Sequence, residues 1–398
     1  MRKFAATYLF TGSGELVKNS VLICDDEGTI LDIEPRDNGF REEAGVEYYS
    51  GILVPGFVNA HCHLEFSHLH NRIATKSGLS EFIGQINQLR NDSDEELQQK
   101  AMQVADRRMY ATGIAAVGDV SNSSASLNIK LKSKIQYHTF VEVFGVHPSR
   151  AERAFALAGR VQSEFAQHNL SASVVPHSAY SVSDPLFHKI SDWAKQNEGV
   201  LSIHNQESKA EQEFVGKGTG TIADHFQQNL KLDLSHWKGT GQSSLHRILD
   251  HLPKGNKLLL VHNTFSTSAD LEYLSKQRDL NDISFVLCPN SNLYIENTLP
   301  PVQLFQEFGL NICLGTDSLA SNHQLSILEE MITLQQHFEA LKFEELLSWA
   351  SINGARALGL DKQIGTFETG KKPGVNLISG LDLKNLKLTK KAKVKRLI

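Results

Sequence analysis

Four segments of the 398-residue chain end in residues that bind metal ions or move protons: His61-Cys62-His63, His204, His262 and Asp317. Each closes a short run of β-branched or aliphatic residues. In Pro55-Gly56-Phe57-Val58-Asn59-Ala60-His61-Cys62-His63, strand alternation sends both imidazoles to one face and Cys62 to the other. Together these segments supply the ligands and the base of a hydrolytic metal centre. Zinc and similar borderline cations take neutral imidazole and carboxylate, and a catalytic site leaves one position for water. Any one of the 17 histidines is more often a core or surface residue, and His68, His70, His138, His147 and His323 carry no stronger reading. The joint pattern carries one.

The elements that would position these residues follow from the spacing of apolar runs. Eight candidate strands lie near Phe57–His63, Ala115–Val120, Tyr137–Val143, Ala172–His177, Leu201–His204, Leu258–His262, Ser284–Leu287 and Asn311–Gly315. Amphipathic helical stretches separate them, as in a parallel sheet with crossover helices. Eight such units predict an α/β fold of the (β/α)8 TIM-barrel type, and the chemical residues fall at strand C-terminal ends, where barrel active sites are built. An open doubly wound sheet is the alternative, but no glycine-rich dinucleotide turn follows the first strand. Gly216, Gly218 and Gly220 follow no strand and read as loop.

Residues 1–52 alternate in short segments split by Gly12-Ser13-Gly14 and Asp26-Glu27-Gly28, and residues 361–398 repeat that style around Pro373-Gly374. The expected organisation is a barrel over 53–360 and a small composite β-sandwich made by both ends, with Val394 to Ile398 pairing with the N-terminus. Phe4 to Phe10 is too short and too broken for a secretory leader and reads as a strand. No apolar run approaches the roughly 20 residues that span a bilayer. With 40% hydrophobic residues and a net charge of −5, the chain reads as a soluble globular protein without affinity for nucleic acid or an anionic membrane. Cys24, Cys62, Cys288 and Cys313 form no paired-spacing motif, which fits a reducing, cytoplasmic compartment. A homodimer is compatible with this composition.

The series PGFVNAHCH at 55–63, VVPHSAYSVS at 174–183, HNQE at 204–207, LVHNTFS at 260–266 and LGTDSLASN at 314–322 resembles the amidohydrolase superfamily. The similarity covers essentially the whole chain. More narrowly it is similar to the branch holding adenosine-type, methylthioadenosine and S-adenosylhomocysteine deaminases, guanine deaminase and triazine chlorohydrolases. HCHLEFS at 61–67, GDVSN at 118–122, HNQESKAEQEF at 204–214, CPNSN at 288–292 and TDSLASN at 316–322 resemble more narrowly the aminodeoxyfutalosine deaminases of menaquinone synthesis. The resemblance implies one divalent metal ion on His61, His63, His204 and Asp317, zinc by default with iron or manganese as alternatives. A carbamylatable lysine for a second ion is missing where the fourth strand reads Val174-Val175-Pro176-His177.

In the mechanism that this resemblance implies, Asp317 takes a proton from water and His262 orients the resulting hydroxide. Glu207 protonates a ring nitrogen and then the departing ammonia. His177 hydrogen-bonds the heterocycle, and Glu81 in Gly78-Leu79-Ser80-Glu81-Phe82 is the expected contact to ribose hydroxyls, although a carboxylate in a helix first turn would look the same. Glu65 is a support for the ligands, and Asp119, Asn122, Ser291 and Asn292 either line the floor or end strands. Arg72, Lys76 and Arg150 are the cations available to a substrate carboxylate, with Arg150 and Asn122 taken as substrate contacts. Residues 209–242 form either a lid over a nucleoside-like substrate or a surface excursion. Methylthioadenosine or guanine deamination and triazine dechlorination share this machinery. A non-enzymatic scaffold is the reading from another class, and the presence of every ligand position argues against it.

Overall fold

The structure is a computed structural model that describes residues 1–36, 43–90, 92 and 94–398. The eight expected strands are present as Phe57–Cys62, Ile114–Ser121, Gln136–Val143, Ser171–Pro176, Leu201–Asn205, Leu258–His262, Ile283–Leu287 and Asn311–Leu314. Nearly every residue in them is buried, as expected for strands covered on both faces. The first four make one parallel sheet and the last four another.

Two seams join these sheets. At one, the backbone N–H of His204 donates to the His177 carbonyl at 2.9 Å; at the other, those of Thr316 and Asp317 donate to the His61 carbonyl at 3.0 and 3.1 Å. Both seams lie at strand C-terminal ends, so the residues with chemical side chains are also the ones that bring the sheets together. Gly315 permits the second seam: a Cβ there would stand 2.9 Å from His61 Cβ and 3.0 Å from Cys288 Sγ.

Helices cover the outside through apolar faces at helical spacing. In Ala151–Gln167 the buried residues are Ala151, Ala158 and Phe165, each seven apart, which places them on one stripe. Leu79–Leu89 is different, because its apolar face turns toward the mouth of the parallel strands, with Leu79 and Ile86 buried.

Strands from the two chain ends share one sheet, with partners other than those expected. Their described strands form one seven-stranded sheet in the order Lys393–Arg396, Val375–Ser379, Val46–Pro55, Arg2–Phe10, Ser20–Cys24 and Ile30–Pro35, with Leu16–Val17 beside Arg2–Phe10. The second sheet that a sandwich needs is not among them. Lys393–Arg396 pairs with Val375–Ser379 and not with the N-terminal strand. The end of the chain meets the N-terminal strands through the Arg2 guanidinium, which donates to the Leu397 carbonyl at 2.7 Å, and through Leu397 and Ile398, which pack on the cluster that holds Phe4. Alternating apolar residues account for this sheet, since Phe4, Leu22, Leu53 and Leu377 pack one buried cluster. Val46–Pro55 continues through Gly56 straight into the first parallel strand.

Among the described residues no helix is long and apolar enough to cross a membrane. All four cysteines are buried and unpaired.

Candidate active site

His61, His63, His204, His262 and Asp317 meet at the C-terminal rim of the parallel strands, all buried. His61 and His63 point inward from alternate positions, while Cys62 turns away. His63 Nε2 lies 3.2 Å from His61 Nε2 and 3.2 Å from His204 Nε2. The proton of His204 is on Nδ1, which donates to the His177 carbonyl at 2.9 Å, so its Nε2 presents a lone pair to the cluster. Burial pushes His63 below the usual histidine range and His204 well below it, with neighbouring histidines adding to the effect on His204.

Lone pairs converging in this way are unfavourable without a cation between them. Asp317 supplies the opposite charge: its Oδ1 is 3.5 Å from His63 Nε2 and 3.7 Å from His61 Nε2. Its Oδ2 is occupied, accepting from Ser291 Oγ at 2.7 Å and Ser321 Oγ at 2.6 Å. Burial alone would raise the Asp317 carboxyl, yet His61 and the other surrounding histidines hold it well below the usual range. His61, His63 and Asp317 bring ligand atoms within 4.8 Å of one another, as do His61, His204 and His262; imidazole with carboxylate is a donor set that fits a divalent cation, and nitrogens 3.2 Å apart suit a shared ion at roughly 2.1 Å.

His262 is arranged differently. Asn292 Nδ2 stands 3.2 Å from its Nδ1 and also donates to Thr264 Oγ1 at 2.8 Å, which leaves the His262 proton on Nε2. That nitrogen is buried without a hydrogen-bond partner and lies 3.6 Å from Glu207 Oε1. Burial brings the His262 pKa down to about 3, so the ring is a neutral donor. Burial, with Asp317 and Glu211 nearby, pushes the Glu207 carboxyl well above the usual range. Glu211 holds the turn that carries Glu207: its two oxygens accept the backbone N–H groups of Gln206 and Glu207 at 3.0 and 2.9 Å. Left-handed backbone recurs at these strand ends, with φ of 49° at Gln206, 73° at His262 and 54° at Asp317, conformations that side-chain-bearing residues adopt where a site demands them.

A cavity of about 370 Å³ opens over this group. His177 lines it, with Nδ1 held by Ser181 Oγ at 2.7 Å and Nε2 directed away from that bond. Phe226, Leu230 and Leu232 bring the 209–242 segment to the cavity wall, where a short π-helical turn, His225–Asn229, sits above the pocket. Phe214 stacks on Trp237 at 4.7 Å and 13° to anchor that segment.

Several expectations change here. Glu81 is exposed, pairs with Gln85 Nε2 at 3.2 Å and does not line the cavity. The reason is helical phase: Leu79, Phe82, Ile83 and Ile86 face the cavity, and Glu81 lies on the opposite side. Arg72 is bound to Asp92 at 2.7 Å, and neither it nor Lys76 reaches the cavity. Arg150 does line it, as does Arg90, which sequence reasoning missed although it shares the face of Leu79 and Ile86. Asn122 lines the cavity, but its amide donates to Glu142 Oε2 at 3.0 Å. Glu65 acts on the loop after the second parallel strand, accepting from the backbone of Asn122 at 2.9 Å and of Ser123 at 3.1 Å. Asp119 forms a fully buried ion pair with Lys130 at 2.6 Å and accepts from Leu64 N at 2.8 Å, next to His63. Glu142, not anticipated, lines the cavity beside His177 and His204.

The chain belongs to the amidohydrolase family, which matches residues 52–398. An adenosine deaminase of Helicobacter pylori is 27% identical over 369 residues, covering 89% of this chain and 87% of its own length. An aminodeoxyfutalosine deaminase of a Nitratiruptor species is 26% identical over 344 residues, covering 84% of this chain and 81% of its own. Among solved structures, the Helicobacter pylori aminofutalosine deaminase in complex with methylthio-coformycin superposes with a TM-score of 0.84 at 23% identity over 100% of both chains, a likeness of fold.

Proposed function

We propose that the protein is a metal-dependent deaminase of an adenine nucleoside, working from a (β/α)8 barrel closed at the two seams. The observation that carries this reading is Glu207: a buried carboxyl, pushed well above its usual range, 3.6 Å from a neutral imidazole at the edge of the ligand cluster. Removing an amine from an aromatic amidine needs such an acid, because the ring nitrogen must gain a proton as the carbon is attacked.

A divalent ion on His61, His63, His204 and Asp317, zinc by donor type, would supply water acidic enough to lose a proton near neutral pH. Asp317 accepts that proton through the oxygen that faces the imidazoles. His262 donates from Nε2 to the attacking oxygen and fixes its approach. Glu207 protonates the ring nitrogen next to the carbon under attack and the proton held by Asp317 passes to the amine, so the C–N bond breaks and ammonia leaves; the hydroxyl of the new C–O bond returns its proton to Glu207 as the carbonyl forms. His177 holds the heterocycle's far edge. Water and the aminopurine are consumed, and the oxopurine and ammonia are formed.

The wider cavity favours a substrate extended beyond the sugar. Its outer wall is apolar through Phe82, Ile83, Ile86 and Phe226, and Arg90 and Arg150 stand on it without an ion pair among the described residues. An aromatic acid attached through the sugar fits that combination, which supports aminodeoxyfutalosine, whose benzoate would meet the two guanidinium groups. The apolar wall by itself also suits methylthioadenosine, the second reading. Ammonia release from a panel of adenosine, methylthioadenosine, S-adenosylhomocysteine, guanine and aminodeoxyfutalosine tests both. The expected ranking by kcat/KM puts the carboxylate-bearing nucleoside first, with Arg90→Gln and Arg150→Gln each reducing that preference about 10-fold or more. Equal rates on neutral and acidic nucleosides would favour the second reading, and no turnover on any of them would end the first.

A further inference from the structure

Of the three carboxyl groups on the cavity wall, Asp317 stands beside the imidazoles and Glu207 beside His262, which leaves Glu142. It stands near the end of the strand Gln136–Val143 with its side chain 5% exposed. One oxygen, Oε2, accepts the Asn122 amide at 3.0 Å. The other, Oε1, is buried with no hydrogen-bond partner among the described residues. Its neighbours do not satisfy it. His204 Nδ1 is 3.5 Å away with its proton committed to the His177 carbonyl at 2.9 Å, and His177 Nε2 is 3.9 Å away, beyond hydrogen-bond reach.

A second cation does not resolve the matter. Glu142, His177 and His204 are close enough to form a ligand trio, but the engagement of His204 Nδ1 leaves only two free donors. A buried acceptor without a donor is costly, and a molecule that fills the cavity can bring one. Adenine has few to bring. Its ring nitrogens accept, and its only N–H groups belong to the amine that leaves; the remaining donors of an adenine nucleoside are the sugar hydroxyls.

We propose that Glu142 Oε1 accepts a hydrogen bond from a sugar hydroxyl of the substrate and so sets a preference for ribosyl over deoxyribosyl nucleosides. This rests on the deaminase reading above. Asn122, fixed through its backbone N–H by Glu65 at 2.9 Å, holds the carboxyl through its other oxygen, on a side chain that lines the cavity. The residue sits on the third parallel strand, whereas Glu81, the acid expected to serve the sugar, is on an outward helix face.

The test crosses the residue with the hydroxyl. The nucleoside that the metal-loaded protein deaminates fastest is compared with its 2′-deoxy and 3′-deoxy derivatives, in the wild-type protein and in Glu142→Gln. Glutamine keeps an oxygen for Asn122 and turns an NH2 toward the cavity, replacing an acceptor with a donor. The expected result is a loss of roughly 10- to 100-fold in kcat/KM on the ribosyl substrate, carried mainly by KM. On the derivative lacking the hydroxyl in question the loss is less than about threefold, and metal content is unchanged. Equal losses on all three substrates, or loss of metal from the variant, overturn the proposal and make Glu142 a support for His204. If Glu142→Gln does not fold, the wild-type protein decides: a drop of about 10-fold or more on one deoxy derivative supports the assignment, and rates within about threefold on both overturn it. Absence of wild-type turnover on every adenine nucleoside refutes the deaminase reading and this one together, whereas turnover without coupling between residue and hydroxyl refutes this one alone.

Discussion

The backbone N–H of Asp317 donates to the carbonyl of His61 at 3.1 Å. The contact that joins the last parallel strand to the first therefore also sets the distance between the aspartate and the His-X-His pair. The opposite seam works the same way, because the His177 carbonyl accepts both the backbone N–H and the Nδ1 of His204, each at 2.9 Å. Hydrogen bonds between the two sheets thus position His177, His204 and Asp317, which line the cavity, and His61 beneath them. Side-chain substitutions at the site leave those bonds in place, which makes chemistry and folding separable by mutation.

Glu207→Gln keeps the shape of the side chain and removes its acid. The protein is expected to fold, to retain its metal and to lose about 10²- to 10⁴-fold in kcat. Because Glu207 must start protonated and its pKa is raised, wild-type kcat/KM falls as pH rises through that value, and this limb is absent in the variant. Steady-state rates across pH with metal analysis check both points. Activity within about threefold of wild type would remove Glu207 from the mechanism.

Glu330 predicts a pH-dependent stability. It is fully buried and accepts from Asn290 N at 2.9 Å and Asn322 Nδ2 at 2.8 Å, behind the loop that carries Asp317. Burial pushes its carboxyl from 4.5 to about 8. The folded state thus prefers the protonated form, so this stabilisation is complete below pH 4.5 and is lost as pH rises through about 8. The slope approaches about 1.4 kcal/mol per pH unit within that window. Thermal unfolding between these pH values should show a flatter curve for Glu330→Gln than for wild type, and parallel curves would contradict the assignment.

The Lys130–Asp119 pair predicts a different kind of loss. Both side chains are 0% exposed, and Lys130 also donates to Ser121 Oγ and Thr139 Oγ1 at 3.1 and 3.0 Å. Lys130→Met strands the buried Asp119 and is expected to cost about 3–5 kcal/mol of unfolding free energy by urea titration. Pairing it with Asp119→Asn should recover part of that loss. A single variant as stable as wild type would show that the pair contributes little.

Much of this architecture can be read from residue types alone. The eight apolar runs end where the strands end because each is followed by a turn that cannot continue a ladder, and the alternation in His61-Cys62-His63 is a direct consequence of pleating. Glu81 and Arg90 went astray for a reason also present in the sequence. Positions 79, 82, 83, 86 and 90 lie on one face at 3.6 residues per turn, which turns Arg90 toward the cavity and Glu81 away from it. Glu142 was harder to see. Its strand is buried at nearly every position, so alternation gives no contrast between the wall of the cavity and the packed outside. The strand partners of the C-terminal segment were also hidden, since short antiparallel strands in one sheet are interchangeable until their registers are known.

The central claim is that the imidazole and carboxylate cluster holds one divalent ion on which deamination depends. Protein stripped with a chelator and titrated with zinc, while ammonia release from the preferred adenine nucleoside is followed, tests it most directly. The account predicts no turnover in the stripped protein, recovery that saturates at one ion per chain, and no recovery in His63→Ala or Asp317→Asn. Full activity without metal, or undiminished recovery in either variant, would contradict it.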